Sequence, residues 1–329
     1  MDKKRKKYLF GPVPSRRLGA SLGIDLLPYK TCTLDCVYCE CGATTNLTLC
    51  RNEYVPVNDV LEELDEFLKE RPALDYVTFA GSGEPLLHSR IGEIIAWIKL
   101  HYPFYAVAVL TNGTLLTQQE VRASLARADL VIPSLDAVTN QLFQKINRPH
   151  SGLDCQEIIP GLVQFRREYS GEICLEIFVI PGLNDCMAEL EQMGEVIRQV
   201  KPDRIQLNTL DRPGAENWVQ PAGENELKKC SAIINEGKIT EGYHRRRAIP
   251  LNMEHQKNIL DVLQHRRCTA GDLVGLLGLR PVEINKHLHM LVQLKRVEYI
   301  REKRGLFYKI KNNPPHAPDK RNKKADLAR

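Results

Sequence analysis

The sequence predicts an α/β protein of repeated strand–helix units, followed by a small, mostly helical second unit. Three observations predict it. Short β-rich apolar runs alternate with amphipathic helical patterns from about residue 22 to residue 235, which implies parallel strands joined by right-handed crossovers. The alternation lapses over 237–251, where Arg245, Arg246, Arg247 and Pro250 read as a linker. Charge is also unevenly divided. Residues 1–7, 252–311 and 312–329 carry net +4, +6 and +3, against −8 for 8–251. An acidic body with a basic appendage points to two units with different partners.

At 329 residues, 43% hydrophobic and 26% charged, the chain has length for two domains and apolar content for a core, which excludes a disulfide miniprotein and wholesale disorder. No apolar run reaches the ~18 residues of a membrane helix. The basic start leads into Gly11-Pro12-Val13-Pro14 instead of a signal-peptide apolar stretch, so a cytoplasmic protein with no membrane partner is expected.

The elements follow in order. Residues 22–27 read as a strand and 29–52 as a long loop without periodicity, the kind that usually carries function. Residues 57–71 place Val60, Leu61, Leu64, Phe67 and Leu68 on one helical face. Then come a strand over 76–80, a helix over 91–100, a strand over 105–110, a helix over 118–127 and a strand over 130–135. Helices within 138–168, a strand over 173–180, a helix over 187–200, a strand over 204–210 and a helix over 224–235 complete the body. Six strands fit an open partial barrel or a doubly wound sheet, and both bind ligands at the C-terminal strand ends. The segments there include Pro28-Tyr29-Lys30-Thr31-Cys32, Gly81-Ser82-Gly83-Glu84-Pro85, Thr111-Asn112-Gly113, Ser134-Leu135-Asp136, Pro181-Gly182-Leu183-Asn184-Asp185 and Asp211-Arg212-Pro213.

Beyond the linker, helical patterns over 253–265, 269–277 and 281–294 precede strand-like runs at 297–301 and 306–310. This order predicts a winged helix-turn-helix over 252–311, with Gly278 at the turn. Ile284, Leu288 and Leu291 face inward on its third helix, leaving Glu283, Lys286, His287 and Gln293 outward. Lys303 and Arg304 stand at the wing tip. Lys286, His287, Lys303 and Arg304 are therefore the candidate nucleic-acid contacts, with DNA or RNA as the partner and protein docking as the alternative. The basic stretch 1–7 reads as a tail, and 312–329, with Pro314, Pro315 and Pro318 among charges, as a disordered one.

Of ten cysteines, Cys32, Cys36, Cys39, Cys41 and Cys50 crowd into 19 residues, while Cys155, Cys174, Cys186, Cys230 and Cys268 are scattered and read as small buried hydrophobes. Three thiolates in a CxxxCxxC loop suit one [4Fe–4S] cube with an iron left open. A zinc site with Cys41 as fourth ligand and a reversible disulfide are the alternatives. Gly81-Ser82-Gly83-Glu84-Pro85 fails the dinucleotide fingerprint, which needs glycine at Leu86. Glu84 has a plainer reading as a helix N-terminal acid.

Cys32-Thr33-Leu34-Asp35-Cys36-Val37-Tyr38-Cys39 resembles the radical S-adenosylmethionine (radical SAM) motif, including Tyr38 before the third cysteine. The resemblance covers roughly residues 8–235 and implies a (βα)6 partial barrel, here over 8–236, with a [4Fe–4S] cluster on Cys32, Cys36 and Cys39. It also implies S-adenosylmethionine held by Tyr38, the Gly81, Ser82, Gly83 and Glu84 segment, Asn112, Ser134, Asp136, Val179 and Gly182. Residues 11–19 resemble the branch that includes the wyosine-base tRNA enzymes; its second cluster uses upstream cysteines, and none precedes Cys32 here. Reductive cleavage to a 5′-deoxyadenosyl radical and a flavodoxin- or ferredoxin-type electron donor are implied as well. Arg16, Arg17, Arg148 and Arg212 adjoin the strand ends and mark an anionic substrate.

Overall fold

The computed structural model describes residues 8–15, 17–210, 214–235, 253–302 and 305–311. The expected linker, both basic tails, Arg16, Arg212, Lys303 and Arg304 lie outside them. The chain divides into two compact units, Met1–Leu251 and Asn252–Arg329.

The first unit runs β1 (Leu9–Ser15), β2 (Gly19–Ile24), a short ladder of β3 (Thr31–Cys32) with β4 (Asn46–Leu47), α1 (Val57–Leu68), β5 (Tyr76–Phe79), α2 (Ile91–His101) and β6 (Ala106–Thr111). It continues with α3 (Gln119–Ser124), β7 (Leu130–Pro133), α4 (Asn140–Ile146), α5 (Cys155–Glu168), β8 (Glu172–Phe178), α6 (Met187–Val200), β9 (Arg204–Asn208) and α7 (Glu224–Asn235). The sheet order is β1-β2-β5-β6-β7-β8-β9. From β2 onward all pairs are parallel, giving the six strands expected.

Strand β1 is an addition to that expectation and pairs antiparallel with β2. Gly11, Pro12 and Pro14 leave no strand pattern over this segment, but an edge strand tolerates proline because its outward amides need no partner. Gly11 lies at φ 92°. A Cβ there would meet the Val13 amide nitrogen at 2.6 Å, so glycine is required where the register shifts between Phe10 and Val13.

Both faces of the central strands are buried, which explains near-continuous apolar runs in place of strict alternation. Val107, Val109, Val131, Ile173, Leu175 and Ile177 pack with the helices. The intervening Ala108, Leu130, Ile132 and Cys174 form a second cluster with Leu18 on the opposite face. Among the scattered cysteines Cys155, Cys174, Cys230 and Cys268 are buried as expected, whereas Cys186 is exposed because it immediately precedes α6. Helix α1 buries Val57, Val60, Leu64 and Leu68 along one stripe. Leu64 is fully buried, so Leu64→Ala should cost ~2–5 kcal/mol in urea unfolding.

The second unit comprises α8 (Met253–His265), β10 (Cys268–Thr269), α9 (Ala270–Leu277), α10 (Pro281–Gln293), β11 (Val297–Glu302) and β12 (Gly305–Ile310). Its sheet has three strands, ordered β10-β12-β11 and antiparallel throughout. The two-residue β10 is too short to leave a period in the sequence. Thr269 and Asp272 cap α9 reciprocally, each side chain accepting from the other's amide at 3.0 and 2.9 Å. Ile259, Leu263, Leu273, Ile284, Leu288 and Leu291 form the core.

His287 corrects the outward assignment. It is buried at 2% exposure, because positions 284, 287, 288 and 291 share one helical face. Its ring meets His255 edge-on at 5.6 Å, and its Nδ1 has no partner. Burial, with His255 and Lys286 nearby, pushes it down to about 4. Lys286 remains half-buried.

Candidate cofactor site

The parallel strands end together, and their loops assemble one site. After β2, Asp25 is buried and accepts from the Ser82 hydroxyl at 3.0 Å and the Ser82 amide at 3.3 Å. A Cβ on Gly81 would lie 2.2 Å from Asp25 Cγ, so any larger residue there has to displace the carboxylate that holds Ser82. The Lys30 amide donates to the Ser82 carbonyl at 3.0 Å and the Glu84 amide to the Thr31 carbonyl at 3.1 Å. These bonds lock the glycine-rich loop onto the cysteine loop.

Each cysteine of the CxxxCxxC segment meets a nitrogen donor. Asn112 Nδ2 lies 3.6 Å from Cys32 Sγ, Asn147 Nδ2 3.4 Å from Cys36 Sγ and Lys30 Nζ 3.0 Å from Cys39 Sγ. Burial, with Glu84 next, pushes the Cys32 thiol up to about 12. Burial, with Asp136 next, raises Cys36 well above the cysteine range. Cys39 is instead held low by its bond from Cys41 and by Lys30, against burial. Such thiols need a positive group before all three ionise, and loading one releases protons. Cys41 also reaches the Gly81 carbonyl at 3.8 Å, while Cys50 is exposed.

Glu84 is buried, with both carboxylate oxygens bonded to the protein. Oε1 accepts from the Thr111 hydroxyl at 2.6 Å and the Leu86 amide at 3.0 Å, and Oε2 from the Asn112 amide at 2.7 Å. The plainer helix-cap reading of Glu84 therefore holds, on the short 3₁₀ turn Pro85–Leu87. Burial pushes its carboxyl up to about 7, although these donors favour the ionised form. Because the folded value exceeds the unfolded 4.5, this group's contribution to stability is full below 4.5 and is lost as pH rises through about 7. Glu84→Gln should flatten that part of the pH profile of cofactor-free protein, followed by urea midpoints.

Asp136 directs both oxygens into protein. Oδ2 accepts from the Tyr38 hydroxyl at 2.5 Å and Asn147 Nδ2 at 2.8 Å, and Oδ1 from the Phe178 amide at 2.9 Å. Burial raises it to about 6. Tyr38 stacks on Phe178 at 3.9 Å. Asn147, missed in the sequence, thus ties Cys36 to Asp136 and keeps a buried Oδ1 without a partner. Leu34, Asn112, Ser134, Asp136, Phe143 and Asn147 line one pocket. Ser134 is half-buried there. Val179 packs into the helix-side core, and Gly182, exposed at φ 78°, donates its amide to Asp185 at 2.8 Å.

The two described arginines of the substrate set are both paired. Arg17 bonds Glu176, which also accepts from Asn208 at 2.8 Å. Arg148 bonds Glu216 at 2.6 Å.

The radical SAM superfamily pattern matches residues 26–193. Over 229 residues the chain is 40% identical to the GTPase Obg of Brachyspira hyodysenteriae, covering 70% of this chain but only 34% of that relative. Over 230 residues it is 34% identical to a UPF0026 protein of Methanocaldococcus jannaschii, covering 69% of this chain and 71% of the other. A radical SAM methyltransferase from Sphaerobacter thermophilus superposes with TM-score 0.50 at 18% identity, over 67% of this chain and 64% of that one. At that identity the likeness is one of fold.

Proposed function

Because the chain belongs to the radical SAM superfamily, whose cofactors are a [4Fe–4S] cluster and S-adenosylmethionine, we propose that the loop site described above is where it holds both and acts on an anionic substrate. The observation that carries the reading is three thiols of one loop, each matched to a nitrogen donor, with the buried carboxylate of Glu84 on the loop bonded to theirs. Donors to sulfur are what a thiolate-held cluster uses to tune its electron density. The bound cofactors supply one-electron cleavage of a carbon–sulfur bond and a 5′-deoxyadenosyl radical that takes a hydrogen atom from the substrate.

The protein's own residues do the rest. Cys32, Cys36 and Cys39 hold the cluster. Glu84 and the Gly81–Gly83 backbone receive the methionine amino group, Ser134 with the unpartnered Asn147 Oδ1 offers polar contacts to the nucleoside, and Asp136 positions Tyr38 and Asn147. Leu34 and Phe143 exclude water. Arg17 and Arg148 take the anion by exchanging a protein carboxylate for it. The name GTPase Obg suggests nucleotide hydrolysis, but the chain has no G-x-x-x-x-G-K-S/T segment to cradle phosphates. The test is anaerobic reconstitution, reduction and addition of S-adenosylmethionine. Release of 5′-deoxyadenosine is expected, and its absence from iron-loaded, reduced protein rejects catalysis in favour of a non-catalytic regulator.

We further read the second unit as a winged helix with α10 as the reading helix, supported by the order of three helices and a β11–β12 hairpin. The net +6 of 252–311 favours a polyanion, and the resemblance of 11–19 to tRNA-modifying relatives makes RNA the first polymer to try. Full-length protein should bind RNA or DNA with an affinity that falls steeply between low and physiological salt. Lys286→Glu and the double change Lys303→Glu/Arg304→Glu should weaken it. No binding at low salt hands the unit to protein docking.

A further inference from the structure

Lys30 is buried at 3% exposure although it carries a charge, and buried charges persist only when paired. Its partners are thiols. Nζ stands 3.0 Å from Cys39 Sγ, and Cys32 and Cys41 are the other groups that act on it. The backbone is as unusual as the side chain. Lys30 sits at φ 53°, in the left-handed region that a lysine rarely adopts. It is held there by its amide on the Ser82 carbonyl at 3.0 Å and by the Thr45 and Asn46 amides, each 3.1 Å from its own carbonyl. Strain of this kind persists only where surrounding structure over-determines it, and it clusters at functional positions. The other two cysteines receive neutral amide donors, from Asn112 and Asn147, so among the described residues the charged hydrogen-bond donor to the ligand set is the one on Cys39.

We propose that Lys30 is a potential-setting residue, a fixed positive charge that makes the cluster on Cys32, Cys36 and Cys39 easier to reduce. The step is a one-electron transfer from a low-potential protein carrier, a flavodoxin or ferredoxin, which is itself oxidised by one electron. The ligand set and its cluster gain one negative charge, no bond is made or broken, and the neighbouring ammonium stabilises that added charge in a site of low polarity. The inference rests on the cluster reading given above and deepens it.

The experiment is a redox titration of the reconstituted full-length protein, followed by electron paramagnetic resonance, comparing the unmodified chain with Lys30→Met and Lys30→Arg. Iron content is measured first. Lys30→Met should leave the ratio of reduced to oxidised cluster at a fixed potential at least tenfold lower, about 59 mV for a one-electron couple, while Lys30→Arg keeps most of the original potential. Equal potentials in all three loaded proteins overturn the proposal, as does a change confined to S-adenosylmethionine affinity. Loss of iron from both variants would show a purely structural lysine and overturn it too. Failure of the unmodified protein to bind iron would instead sink the cluster reading.

Discussion

Replacing Cys32, Cys36 and Cys39 together by alanine should leave anaerobically reconstituted protein short of about four irons per chain, the content of one cube. Cys41→Ala and Cys50→Ala should leave the iron count unchanged. The expectation differs among the five because their surroundings differ. Cys32, Cys36 and Cys39 each meet a nitrogen donor from a different segment of the chain, whereas Cys50 is exposed and Cys41 contacts the Gly81 carbonyl, which offers sulfur no donor. With the ligands gone, 5′-deoxyadenosine formation should fall below detection, since no iron remains to pass the electron. Elemental analysis decides this without an activity assay. Iron retained by the triple variant, or zinc in the native protein, would overturn the ligand assignment.

The second large effect is expected at Gly83. A Cβ there would lie 2.0 Å from the Thr31 carbonyl oxygen and 3.0 Å from the carbonyl carbon behind it. Backbone, unlike a side-chain tip, cannot swing away, so Gly83→Ala has to push the glycine-rich loop off the cysteine loop. Overpacking of this kind costs ~1–3 kcal/mol and sometimes more, visible as a lower urea midpoint. The functional loss should exceed the stability loss. The same displacement breaks the bond from the Glu84 amide to Thr31 and moves Glu84 from its three donors, so S-adenosylmethionine binding measured by calorimetry should fall at least tenfold. Gly275→Ala, whose Cβ would meet nothing within 4 Å, is the matched control and should change neither quantity appreciably.

Much of this site was legible because its signals are local. The CxxxCxxC spacing and the Gly81–Pro85 segment each fit within one loop, and six strands announced themselves as apolar runs. What stayed hidden depends on contacts across the sheet. Lys30 appears within a strand-end segment, yet only the fold shows its ammonium turned onto Cys39. Asn147 comes 111 residues after Cys36, and no period links them. Asp25 looks like an ordinary acid at a strand end until Ser82 is seen bonded to it. His287 differs for another reason: its polarity predicts an outward position, but its spacing from Ile284 and Leu291 places it on the buried stripe. Strand β1 leaves no signal of its own, because its prolines and Gly11 interrupt the apolar run and only the sheet edge makes them tolerable.

Those prolines carry a further consequence. An open sheet, unlike a closed barrel, ends in a strand whose outer amides and carbonyls can recruit a strand from another molecule, the first step toward stacking and precipitation. In this sheet that strand is β1, and at Pro12 and Pro14 it has no amide hydrogen to offer. The glycine-led shift between Phe10 and Val13 further spoils the regular spacing that an incoming strand would need. The sheet can stay open on this side without becoming a template for its own aggregation.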